Sequence, residues 1–445
     1  MVKIIIRKTI NNILGTTMLL LLIIIAYINF LFPQDCITAD CHSEMDGFSR
    51  LHVPVEEGEC SSCHSKNEKT HPDSNGPEFS LEESDMYDLC TSCHEIENTD
   101  DTHMPVAEGM CITCHDPHGS NNDFLLKAED ISVLCSECHD IAINEDKFIH
   151  GPVAVGACSI CHSAHGDMQN SLLQEDEINN VCFGCHESKS AEINSFFNIH
   201  TPVEESCTLC HNPHSSNYKY MLNSETKDLC FDCHGEIESL VEDVVSDHQA
   251  LVIDNKCLNC HDSHGSDFQF NLKDETYDLC MKCHNKPVKS DTKMLTDMKK
   301  LLSDNSDWHG PIRDQECSGC HNPHGSENIR LLRHYYPPEF YSAFDVDNYQ
   351  LCFQCHPETN VTDETTASST NFRDGDRNLH YLHVNQKKGR TCRACHQVHA
   401  SDHSYHIRDG VPFGKWVLPI NFEIEDNGGT CSPGCHPKVT YNRRK

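Results

Sequence analysis

The sequence predicts a mostly irregular, elongated tandem-repeat chain with short α-helices and one N-terminal transmembrane helix. Three observations carry that expectation. The triplet Cys-x-x-Cys-His recurs thirteen times, a larger unit built on paired triplets recurs seven times, and one apolar run of 20 residues stands near the N-terminus. The chain has 445 residues, and its 30 cysteines fall into fifteen pairs, each followed by His.

The regular pairs are Cys60 and Cys63, Cys90 and Cys93, Cys111 and Cys114, Cys135 and Cys138, Cys158 and Cys161, Cys182 and Cys185, Cys207 and Cys210, Cys230 and Cys233, Cys257 and Cys260, Cys280 and Cys283, Cys317 and Cys320, Cys352 and Cys355, and Cys392 and Cys395. Two more are stretched, Cys36 with Cys41 and Cys431 with Cys435. Two thiols one helical turn apart can add to the two vinyl groups of one porphyrin, and the following His then supplies the proximal iron ligand. The triplet therefore reads as a c-type haem attachment site. The proximal candidates are His42, His64, His94, His115, His139, His162, His186, His211, His234, His261, His284, His321, His356, His396 and His436. Zinc sites and disulfides also use Cys-x-x-Cys, but neither needs a His after every second Cys. The expected cofactor is haem c, about fifteen copies covalently attached. So many porphyrins in so short a chain make a haem-packed core, with haem binding coupled to folding.

One repeat unit reads His-x-Pro-Val, then Cys-x-x-Cys-His-x-x-His-Gly-Ser, then Leu-Leu, then Leu-Cys-x-x-Cys-His. The leading histidines are His52, His103, His150, His200, His248, His309 and His383. The trailing ones are His118, His165, His214, His264, His324 and His399, with His71 as an offset counterpart in the first unit. A periodic series at fixed offset from each triplet reads as distal iron ligands. One of His403 or His406 is expected to complete the set, ahead of His334 and His380. A trailing His lies three residues after a proximal one, on the same face, so it must serve a neighbouring haem, most simply the other member of its pair. Two registers stay open for the leading His. If it serves its own unit, the first haem borrows from His334, His380, His403 or His406. If it serves the preceding haem, His52 goes to the first haem and the last haem needs His403 or His406.

The order of segments follows. Residues 1–12 are a basic cytoplasmic tail with Lys3, Arg7 and Lys8, and 13–32 are the anchor. Residues 33–51 hold the membrane-proximal haem, 52–284 five paired repeats, 285–308 a helical insertion with Met294, Leu295, Met298, Leu301 and Leu302 at helical spacing. Then come the sixth repeat (309–356), a flexible polar loop (357–379) and the seventh repeat with the C-terminal haem (380–445). Each unit should carry a short helix, for example Phe124 to Cys138, with Gly-Ser as turn and cap, and residues 407–428 with Trp416 form a hairpin. The body is placed on the exported side of the membrane, periplasmic or extracellular, and is secreted if residues 13–32 are cleaved as a signal peptide. A net charge of −35 disfavours nucleic acid and anionic lipid and favours basic redox partners, metal cations or minerals, besides keeping the chain soluble.

The paired motif, cleanest from His103 to His139 and repeated at His150, His200 and His309, resembles the doubled-CXXCH family of multihaem c-type cytochromes. The resemblance spans residues 52–436. It implies low-potential bis-histidine haems in close contact, acting as an electron wire with no catalytic residues. The haem beside the anchor also resembles that of membrane-anchored quinol dehydrogenase cytochromes, although those are much shorter. That implies a quinol-oxidising membrane donor and periplasmic or outer-membrane cytochromes as acceptors. Two other readings compete. One is a nitrite- or hydroxylamine-type oxidoreductase with one open haem, against which the absence of Cys-x-x-Cys-Lys counts. The other is a filament-forming extracellular cytochrome.

Overall fold

The computed structural model describes residues 42–67, 79–96, 99, 101–139, 145–166, 172–242, 244–253, 255–290 and 294–445. No helix among them is long and apolar enough to cross a membrane. The expected anchor at 13–32, the expected thioether residues Cys36 and Cys41, and the expected ligand His71 lie outside the described residues. The chain divides into two bodies, Met1–His186 with His211–Met221, and Glu187–Cys210 with Leu222–Lys445.

Regular elements are short because each is bounded by the motifs. A helix of about one and a half turns runs into the second triplet of most units: Met86–Thr91, Ile131–Ser136, Ile178–Phe183 and Thr226–Phe231. Asp85 and Asp130 start two of these, their carboxylates accepting from the amides of Tyr87 and Ser132. The expected helix from Phe124 begins only at Ile131, because Asp123–Leu125 is a tight turn with φ of 55° at both Phe124 and Leu125.

The Gly-Ser pair is a strand, not the expected helix cap. Gly119–Ser120 of the second unit pairs antiparallel with Arg50–Leu51 of the first. The same clasp recurs as Phe148–Ile149 with Ser215–Ser216 in one body. In the other it recurs as Asn198–Ile199 with Gly265–Ser266, Ser246–Asp247 with Gly325–Ser326, and Asp307–Trp308 with Ala400–Ser401. Gly325 sits at φ +154°, and a Cβ there would land 1.8 Å from the Leu240 carbonyl oxygen. The serine of the pair is buried, and its hydroxyl donates to the carbonyl six residues on, as Ser326 does to Leu332.

Apolar burial is concentrated at one end. Among the described residues, all but three of the buried apolar side chains fall between Leu332 and Tyr441, where Leu332, Tyr336, Tyr349, Val361 and Val384 pack together. The insertions differ from expectation in consequence. In 285–308 the helix covers only Met298–Ser303, with Leu302 buried, while Met294–Leu295 forms a strand against Val288–Lys289. The polar stretch 357–379 is not a loose loop: Thr359–Thr362 is helical, Val361 enters the core, and Arg373–Asp374 pairs with Arg377–Asn378. The hairpin at Trp416 is present as Gly410–Phe413 against Trp416–Pro419, followed by a three-stranded sheet of Phe422–Glu425, Gly428–Cys431 and Val439–Asn442.

Candidate haem-ligand sites

Thirteen proximal histidines each face a second imidazole. In the first body the pairs are His52 with His94, His64 with His118, His103 with His139, His115 with His165, His150 with His186, and His162 with His214. In the second they are His200 with His234, His248 with His284, His261 with His324, His309 with His356, His321 with His399, His380 with His396, and His383 with His436. Twelve of them have ring centres 5.8–6.4 Å apart and ring planes within 7–28° of parallel. The pair of His383 and His436 is looser, at 6.5 Å and 36°.

That spacing fits an iron between the rings. Two metal–imidazole bonds of about 2.0–2.1 Å, each with about 1.1 Å from nitrogen to ring centre, put the centres about 6 Å apart. A direct N–H···N hydrogen bond of about 2.9 Å would bring them to about 5 Å. Among the described residues, no group of three or more His, Cys, Asp and Glu gathers as a zinc site would require.

One rule covers the pairs outside the last unit. The leading His faces the second proximal His of its own unit. The trailing His faces the first proximal His of the preceding unit, not the other member of its own pair as expected. The strand clasp is the cause: the His52 amide donates to the His118 carbonyl at 2.9 Å, and His103 to His165, His150 to His214, His200 to His264 and His309 to His399 repeat it. Each clasp sets a leading and a trailing His side by side, so that the two can face different proximal histidines of the earlier unit.

Backbone carbonyls orient the rings. Leading His52, His103, His150, His200 and His248 donate from Nδ1 to Pro117, Ala164, Pro213, Ser263 and Pro323 at 2.9–3.0 Å. The first proximal His of a unit does the same: His115, His211, His261, His321 and His396 donate to Phe124, Tyr220, Phe270, Arg330 and Tyr405 at 2.8–2.9 Å. A carbonyl only accepts, so Nδ1 carries the proton and Nε2 keeps its lone pair for a metal. All five acceptors of this second set are non-glycine residues at φ between 55° and 61°. That backbone strain recurs where it aims the carbonyl at the ring.

The seventh unit is arranged differently. Here the helix Leu379–Val384 carries two ligand candidates three residues apart, His380 toward His396 and His383 toward His436. His380 was the lesser expectation. Burial, then the neighbouring His396 and His383, pushes its ring down to about 4, which keeps the imidazole in the neutral ligand form. Thr370 Oγ1 shares a hydrogen bond with its Nδ1 at 2.9 Å. His403 and His406 take no such place. They are turn residues, matching Asn122 and Leu125 of the second unit: the His403 amide donates to Ser401 Oγ as Asn122 does to Ser120, and the His406 carbonyl accepts from Gln397 as Leu125 does from Asp116. His403 Nε2 pairs with Asp409 at 2.6 Å, and His406 meets His309 edge-on. His334 belongs to none of the pairs.

The thiols run in chain order within each body. Cys90 shares a hydrogen bond with Cys111 and Cys135 with Cys158, and burial together with this neighbour pushes both Cys90 and Cys135 up to about 11. Cys230 with Cys257, Cys280 with Cys317, and Cys352 with Cys392 repeat the contact. Inside a unit, Cys114 has Cys138 in electrostatic range and Cys320 has Cys355. Successive triplets are therefore neighbours in space.

The two thiols of a unit's second triplet are not covered alike. In the second triplet of a unit the first thiol is half-buried, whereas Cys93, Cys138, Cys185, Cys233, Cys283 and Cys355 are exposed. The first thiol of the second triplet meets the next triplet, whereas the second thiol is exposed whether the helix ends before it, as at Cys93, Cys138, Cys185, Cys233 and Cys355, or includes it, as at Cys283. Cys435 of the stretched motif is exposed too, in the turn ahead of the strand Val439–Asn442, while Cys431 is half-buried in the sheet. An exposed thiol suits attachment in one respect, since bond formation at sulfur requires access.

A family model described as the doubled CXXCH motif matches six times, over residues 52–99, 103–143, 150–191, 200–239, 248–289 and 309–361. The matched repeats hold twelve triplets, and they indicate covalently bound haem c at that number of sites. No curated protein matches the chain.

Proposed function

From the membership of this chain in the doubled CXXCH motif family of multihaem c-type cytochromes, we propose that it is an electron conduit of fifteen bis-histidine haems. The observation that carries this reading is the series of thirteen facing imidazole pairs. With both axial positions taken, an iron offers no place to substrate and only exchanges electrons. The chain's part is positional. Thioethers would fix each porphyrin, clasped strands would set two distal histidines at once, and carbonyls would hold each Nδ1 proton so that Nε2 faces the metal.

The facing pairs support the following ligand assignment. Each second-triplet haem lies between its proximal His and the leading His of its unit. Each first-triplet haem whose ligands fall within one body lies between its proximal His and the trailing His of the following unit. In the last unit His380 serves the Cys392 haem and His383 the Cys431 haem. Continued to the start of the chain, the register gives His71 to the haem of His42. The adjacency of successive triplets supports electron flow in chain order within each body.

The basic residues Lys3, Arg7 and Lys8 before the apolar run 13–32 support a membrane anchor with an exported haem body. The Cys36 haem would then take electrons at the membrane surface from a quinol-oxidising partner and pass them to periplasmic or outer-membrane cytochromes. Haem quantified against polypeptide, with electron paramagnetic resonance of the oxidised protein, tests the conduit. Fifteen haems with only low-spin ferric signals are expected. A reproducible high-spin signal of one iron or more would overturn full six-coordination and bring the oxidoreductase reading forward.

A further inference from the structure

The second body contains a cluster of cations that the ligand arrangement does not use. Arg393 lies inside the triplet Cys392–His396. Its amide donates to Tyr336 Oη at 2.9 Å, while its Nε is shut off from solvent with no hydrogen-bond partner. Arg408 donates from Nε to the His396 carbonyl at 2.9 Å and reaches Gln397 Oε1 at 3.3 Å. Arg330 stands at the rim, its carbonyl holding Nδ1 of His321. Burial first, and then the charge of Arg393, pulls the guanidinium of Arg330 and that of Arg408 below its ordinary range. Arg393 and Arg408 both act on the ring of His399, the imidazole that faces His321.

Among the described residues none of these three arginines forms an ion pair with a carboxylate. Carboxylates are plentiful in a chain with 69 acidic and 34 basic side chains, yet none pairs with this cluster. Half-buried guanidiniums gathered without an anion repel one another and are poorly solvated, so the arrangement calls for a planar, bidentate anion. Every haem brings two such carboxylates in its propionates.

We propose that Arg393 and Arg408, with Arg330 at the rim, clamp the propionates of the haem seated between His321 and His399. This rests on the haem reading above. The clamp gives that haem a higher reduction potential than its repeat neighbours, because nearby positive charge favours the ferrous form. A conduit of otherwise similar sites thereby acquires one step where an electron is held.

The test uses the full haem-loaded chain. In the Arg393→Gln, Arg408→Gln double variant, one component of a spectroelectrochemical titration should move to lower potential with haem content unchanged. The redox-linked carboxylate bands of the infrared difference spectrum should shift with it. The corresponding Lys variants, which keep charge but lose the fork, should move the component less, and Arg444→Gln at the exposed C-terminus should not move it. Arg408→Gln alone should give a smaller shift of the same sign if the double variant is poorly folded. Superimposable titrations of wild type and double variant would overturn the clamp. So would a wild-type component that shifts with added inorganic phosphate and loses that response in the double variant, because the cluster would then be an open anion site. A wild-type chain without haem would instead defeat the cytochrome reading itself.

Discussion

His118 stands opposite His64, with ring centres 6.1 Å apart and planes 20° from parallel, although 54 residues separate them and His118 follows a different haem triplet. The strand pairing of Gly119–Ser120 with Arg50–Leu51 brings it there. His118→Ala should therefore open the Cys60 haem and no other. About one iron per chain should turn high-spin in electron paramagnetic resonance, with haem content unchanged. Combining it with Cys60→Ala and Cys63→Ala, which removes that haem, should abolish the high-spin signal. If the signal survives in the combined variant, His118 serves another haem and the crossed register is wrong.

The histidine series was legible in the sequence because ligand chemistry fixes residue type and offset, and twelve of its rings face a proximal partner. Their register was not. It depends on a two-residue strand pairing between units, and Gly-Ser carries no signal to distinguish a strand from a turn. His380 was undervalued because it fits neither the leading nor the trailing offset. Aligning His399–Ile407 with His118–Leu126 would have placed His403 and His406 in the recurrent turn. The unequal cover of the thiols was hidden as well, because Cys90 and Cys93 look equivalent in the triplet and differ only in that Cys90 meets the next triplet. The polar composition of 357–379 suggested a loose loop, but its polar groups bond to one another around Asn378, which composition does not reveal.

His380→Ala should produce a high-spin ferric signal of about one iron, because it faces His396 at 6.3 Å. His403→Ala and His406→Ala should leave the low-spin spectrum intact, since those side chains turn toward Asp409 and Asp307. A new high-spin signal in either control variant would show that the last unit is ligated differently.

Removal of haem should affect the two ends of the described chain unequally. Between residues 42 and 331 only Leu134, Ile193 and Leu302 are buried apolar side chains among the described residues, whereas Tyr336, Tyr349, Val361 and Val384 pack together further on. Apolar burial is the main force for folding without cofactor. Chain produced without haem attachment should be cleaved quickly across 52–290, and peptides from 332–445 should outlast the rest in limited proteolysis read by mass spectrometry. Uniform cleavage along the chain would refute a separate C-terminal core.

Asn378 holds the helix that carries His380 and His383, and its loss should loosen both terminal haems. The side chain is fully buried. Its Oδ1 accepts from the amides of His380 and Tyr381 at 2.9 and 3.3 Å, capping the helix Leu379–Val384. Its Nδ2 donates to the carbonyls of Asn360 and Asp363 at 3.0 and 2.7 Å, tying that helix to the preceding polar stretch. Asn378→Ala removes the cap and strands two buried carbonyls, a loss of about 2–4 kcal/mol. Asn378→Ser restores a capping oxygen but not the bridge, so it should lie between the two. On heating, the alanine variant should develop high-spin haem, from no more than two irons, ahead of the main unfolding transition, because only the histidines of this helix are released. If Asn378→Ala melted together with wild type, with no early high-spin phase, the helix would be held by core packing of Val384 rather than by its cap.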